Sequence, residues 1–84
     1  MRIIKYSTEH LICYEQHDKK NQKYHGIYEI GNNNEPVALY VDKNTIYLND
    51  QIPIDVESYK YFSELSEIVA TLMDFELARS VQWN

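Results

Sequence analysis

The side chains best suited to chemistry in this sequence are His10, Cys13, His17 and His25. The spacing His10-x2-Cys13-x3-His17 has the donor types of a zinc site. Alternation along a strand, however, sends His10 and Cys13 to opposite faces, so they converge only across a bulge. The histidines then read as surface or cross-strand residues, and Cys13 as a small core residue. No metal site and no cofactor is expected.

Catalytic signals are equally sparse. Gly26 and Gly31 are the two glycines, too few for a phosphate-cradling loop, and no serine sits in a nucleophile-elbow context. The expectation is a protein that is not an enzyme.

Tyrosine is the stronger signal. Eight are present, Tyr6, Tyr14, Tyr24, Tyr28, Tyr40, Tyr47, Tyr59 and Tyr61, against two Phe and one Trp. A tyrosine joins a rigid apolar body to a polar tip and suits surfaces that are wet when free and dry when bound. It also favours strands for packing reasons alone, and both readings stay open.

The elements that position these residues follow from periodicity. RIIKY (2–6), EHLICYEQ (9–16), QKYHGIYEIG (22–31), PVALYVD (36–42) and TIYLN (45–49) read as short strands. HDKKNQ (17–22) is a polar loop; GNNN (31–34) and DKN (42–44) are turn signals. In the third strand Tyr24, Gly26, Tyr28 and Ile30 share one face, and His25, Ile27 and Glu29 the other. In PVALYVD, Val37, Leu39 and Val41 alternate with Ala38 and Tyr40. Pro53 argues against a central strand at QIPI.

From Asp55, a good N-cap with Glu57 behind it, the period changes. Tyr61, Leu65, Ile68, Leu72 and Phe75 recur at spacings of four and three, with Phe62, Val69 and Met73 widening the stripe. This predicts helix over 55–82, unbroken or broken near Asp74. The fold class is therefore α+β: a four- or five-stranded antiparallel meander followed by a helix, or broken helix, packed on one face. Residues 1–84 form a single domain, strand-rich over 1–54 and helical over 55–82. The other sheet face then meets water or a partner. Near the end, Trp83 staples the helix to the sheet or anchors an interface.

Charge bounds the partners. Net charge is −5. Residues 1–34 carry five Lys/Arg against four acids, and residues 35–84 carry three against nine. Without clustered cations, direct nucleic-acid binding is not expected, whereas an acidic half favours a basic protein surface. The apolar helix stripe leaves a homodimer open as an alternative, as a self-associating structural domain. No apolar run is long enough for a membrane span, the opening lacks a secretory pattern, and the single Cys13 fits a reducing, cytoplasmic setting.

The opening MRIIKYSTEHL resembles the start of small phage anti-CRISPR proteins that inhibit the type I-F surveillance complex. The shared pattern is Met, a basic residue, an apolar residue, Ile4-Lys5-Tyr6, Ser7-Thr8 and His10-Leu11, with one residue fewer here between Tyr6 and Ser7. Tyr14-Glu15 and Glu29 match a later tyrosine–glutamate pair and a strand glutamate. The chain departs in having no glycine after Gly31, where that family has one between helices, and in a shorter stretch from Leu11 to Tyr14. The resemblance implies a non-catalytic sheet-and-helix protein that coats a basic, nucleic-acid-handling subunit, with Tyr6, Tyr14 and Glu29 in contact. The residue reading adds Tyr24 and Tyr28 to that partner-binding set.

Overall fold

A computed structural model describes residues 2–41, 44–47 and 56–72, with backbone alone for residues 41, 44–47 and 56. Five strands follow in order: β1 (Ile3–Ser7), β2 (Leu11–His17), β3 (Lys23–Glu29), β4 (Ala38–Val41) and β5 (Asn44–Tyr47). They form one antiparallel sheet in the spatial order β1-β2-β3-β4-β5. A 3-10 turn at Val56–Ser58 leads to helix α1 (Phe62–Leu72). The α+β meander expected from periodicity is the observed fold.

The turns explain the register. Asp18 Oδ1 accepts from the amides of Lys20 and Gln22, and Asn21 takes a φ of 64°. This Asx-type closure sets His17 opposite Lys23. Gly31, at φ 93°, turns the chain after β3. The chain does not re-enter the sheet at once: β4 begins at Ala38, two residues later than the alternation suggested. A tight turn through Gly31, closed by the Asn32 amide on the Glu29 carbonyl at 2.9 Å, opens a longer loop over 30–37. Val37 therefore escapes the strand alternation and packs against the core alongside Ala38.

The core lies between the sheet and α1. Leu11, Cys13, Ile27, Ala38 and Tyr40 supply the sheet side, and Leu65, Ile68 and Val69 the helix side. Full burial of a large aliphatic side chain contributes about 1.5–3 kcal/mol, so the three helix residues hold α1 in place. Cys13 is a core residue as expected, and burial pushes its thiol up to about 12.

Two local features differ from the periodic expectation. First, β1 carries a bulge: Ile4 pairs with Tyr14 but Tyr6 pairs with Cys13, so Lys5 is an extra residue. Strict alternation puts Ile4 and Tyr6 on one face. The bulge puts Tyr6 on the helix face and leaves Ile4 on the other. Second, α1 begins at Phe62, not near Asp55. The intervening tyrosines are engaged elsewhere: Tyr59 donates to Glu29 Oε1 at 3.0 Å, and the Tyr61 ring stacks on His10 at 4.2 Å. Asp55, Pro53, Asp74, Phe75 and Trp83 lie outside the described residues.

Candidate interaction surface

The sheet face away from α1 is built around a missing side chain. Gly26 lies between Tyr14 on β2 and Leu39 on β4. A Cβ there would stand 2.3 Å from Gln16 Nε2 and 2.7 Å from Tyr28 Cε1. The space a larger residue would fill is taken by these two neighbours, whose Gln16 Nε2 donates to the Tyr28 hydroxyl at 2.8 Å. Tyr28 is 4% exposed and Gln16 6% exposed, although they lie on the face away from α1. Tyr14 meets the Tyr28 ring edge to face at 5.8 Å.

Arg2 and the β3–β4 loop complete this cluster. The Arg2 guanidinium lies 4.6 Å from the Tyr28 ring centre and 5.4 Å from that of Tyr14. It also donates through Nη1 to the Asn33 carbonyl at 3.0 Å, while Asn33 Nδ2 donates to the Tyr14 hydroxyl at 3.1 Å. The loop thus folds onto a face that the sequence left uncovered. Tyr24 sits beside it, its hydroxyl pushed up by burial and then by the neighbouring Tyr28 and Asp18, with Arg2 opposing. Around the cluster Ile12, Tyr14, Tyr24 and Leu39 are half-buried, and Ile4 is 61% exposed.

The helix face is polar at its margins, and its carboxylates are paired. Glu64 accepts from the Thr8 hydroxyl, from the His10 amide at 2.8 Å and pairs with His10 Nδ1 at 2.8 Å. The Thr8 bond leads in holding its carboxyl down to about 2; partial burial opposes it, and the His10 contacts add to the lowering. Glu67 accepts from Tyr6 at 2.6 Å, which raises the tyrosine hydroxyl. Glu29 takes Tyr59 on one oxygen and Lys60, at 3.5 Å, on the other. Glu15 stands 3.7–3.8 Å from Lys5, Lys23 and His25. Burial lowers the His25 imidazole, against the pull of Glu15.

The five residues assigned to partner binding therefore do not converge. Tyr14, Tyr24 and Tyr28 share the open face. Tyr6 and Glu29 lie on the helix face, tied to Glu67 and to Tyr59 and Lys60. The bulge at Lys5 is what separates Tyr6 from Tyr14. Of the helix stripe, Leu65, Ile68 and Val69 are buried in the chain's own core, while Phe62 is exposed. The residues that sequence reasoning missed are Arg2, Gln16, Asn33 and the socket at Gly26. An isolated glycine within a strand was the available signal for a close approach.

The zinc-like trio also separates. Cys13 is in the core, His10 is bonded to Glu64, and His17 is exposed at the end of β2. His10 reaches the helix side because it precedes β2 in the turn, where strand alternation does not apply. Among the described residues no group of three or more His, Cys, Asp or Glu is placed to hold a metal, and no helix is long and apolar enough to cross a membrane. No protein-family model, curated protein or solved structure matches the chain.

Proposed function

We propose that the chain is a small non-catalytic inhibitor that binds a protein through the sheet face away from α1. The observation that carries this reading is the composition of that face: exposed Ile4, half-buried Ile12, Tyr14, Tyr24 and Leu39, over a rigid floor of Tyr28 and Gln16. Aromatic and aliphatic groups on a pre-arranged surface are what a desolvated contact needs. The strand carboxylates Glu15 and Glu29 lie on the other face and are paired there, so the open face can be desolvated without stranding a carboxylate.

The opening residues supply the partner class. A likeness to type I-F anti-CRISPR proteins favours a basic, nucleic-acid-handling subunit of the RNA-guided surveillance complex, met in the host cytoplasm. Tyr6 and Glu29 are occupied within the chain, so the contact set is drawn from Tyr14, Tyr24 and their aliphatic neighbours. The test is a gel shift with purified type I-F complex and its target DNA. Wild-type protein is expected to abolish DNA binding, and Ile4→Glu and Tyr24→Ala to restore it. A wild-type protein without effect removes the assigned target; undiminished inhibition by both variants removes the assigned face.

A further inference from the structure

We infer that Arg2 is the positioning residue of the open face: it fastens the β3–β4 loop across the sheet and fixes Tyr14 and Tyr28 in the arrangement a partner meets. The role in binding rests on the interaction-surface reading above; the fastening does not. Four residues from four segments close a circuit. Arg2 precedes β1, Tyr14 is on β2, Tyr28 on β3 and Asn33 in the loop. Arg2 lies over both rings, Arg2 Nη1 donates to the Asn33 carbonyl, and Asn33 Nδ2 returns to the Tyr14 hydroxyl.

The circuit specifies the side chain. Its demands are a planar cation over two rings and a fork that reaches a carbonyl, which guanidinium meets and ammonium does not. From below, the vacancy at Gly26 seats the Tyr28 ring together with Gln16, and the Tyr14 ring meets that of Tyr28 edge to face. Arg2 holds them from above. A surface ordered before encounter loses less freedom on docking. The loop also becomes part of what is read, because Asn33 and its neighbours are carried onto the face.

The experiment compares wild type, Arg2→Ala and Arg2→Lys by nuclear magnetic resonance of the free protein. In Arg2→Ala the Tyr14 and Tyr28 ring resonances and the Asn33 side-chain amide are expected to move, and the Asn32–Glu35 amides to exchange several-fold faster. His25 and Tyr40, on the other face, should stay in place and the melting temperature within a few degrees. Arg2→Lys should resemble Arg2→Ala at the rings. Unchanged rings and exchange in Arg2→Ala overturn the fastening. With the surveillance complex, Arg2→Ala should dissociate several-fold faster than wild type; full-strength inhibition by a variant whose rings have moved overturns the positioning role. If wild type itself does not inhibit, the functional reading falls while the free-protein result still decides the fastening.

Discussion

At the scale of single residues, Glu64 and Gly26 show how one atom's environment decides a local structure. The Glu64 carboxylate joins α1 to the β1–β2 turn by accepting from Thr8 and His10. Its folded pKa of about 2 lies below the ordinary 4.5. A depressed carboxylate contributes stability that is complete above pH 4.5 and lost as pH falls toward 2. Glu64→Gln should therefore lower the melting temperature at neutral pH and flatten its decline over that acid window, as followed by circular dichroism. An acid limb as steep as wild type would mean that the carboxylate does not clasp the turn. Gly26→Ala forces Tyr28 and Gln16 aside. Overpacking of this kind costs about 1–3 kcal/mol, several degrees for a domain this small. An alanine variant that melts with wild type, its tyrosine fluorescence unchanged, would contradict a filled socket. The strand glycine signalled a close approach at Gly26, but neither the neighbours that fill it nor the partners of Glu64 were legible in the sequence. Composition announced many hydroxyls and carboxylates, but which Tyr or Thr meets which Glu depends on contacts across up to 61 positions of chain, as from Tyr6 to Glu67.

At the scale of elements, the strands were legible and their irregularities were not. Period-two patterning and the Gly31 turn place β1 to β5 because each is a local property. The bulge at Lys5 is not local: it exists only in the mismatch between β1 and β2. A bulge residue is surplus to the ladder, which yields a sharp expectation. Deleting Lys5 leaves Ile4 opposite Tyr14 and Tyr6 opposite Cys13 in a regular ladder. The deletion sacrifices only a 3.8 Å pair with Glu15, of the exposed kind worth at most about 1 kcal/mol. The melting temperature should stay within a few degrees, and the straightened edge should raise the tendency to self-associate, read by sedimentation. Deleting Ile4 instead lets Lys5 take the place opposite Tyr14 in the same regular ladder, so the two deletions differ in presenting an ammonium or an aliphatic group to the open face. A fall of about ten degrees or more on deleting Lys5 would refute the assignment of the extra residue. The helix start was hidden for a related reason. Tyr61 fits the helical stripe, yet its stacking on His10, with Tyr59 bonded to Glu29 beside it, holds it in the turn that precedes α1.

At the scale of the whole molecule, the meander and helix segregate apolar contact from charge. The described carboxylates on strands and helix lie with α1, mostly paired, while the open face carries tyrosine, aliphatic groups and Arg2. Within a net charge of −5, the cations are concentrated too. Lys19, Lys20 and Lys23 belong to the β2–β3 hairpin end, with Lys5 near them through Glu15. Glu9 sits in the β1–β2 turn and Glu64 beside it, at the other end of the strands. A basic partner is then attracted by the molecule as a whole and repelled locally by the hairpin tip. Replacing Lys19 and Lys20 with Glu, both exposed and with side chains outside every contact described above, should speed association with the surveillance complex several-fold at low salt and leave dissociation unchanged, because steering acts on encounter. Raising ionic strength should erase the difference as the screening length contracts to about 8 Å near 0.15 M. A double variant that associates at the wild-type rate in low salt would show that the partner's surface is not basic. The contact would then rest on the tyrosine face without electrostatic guidance.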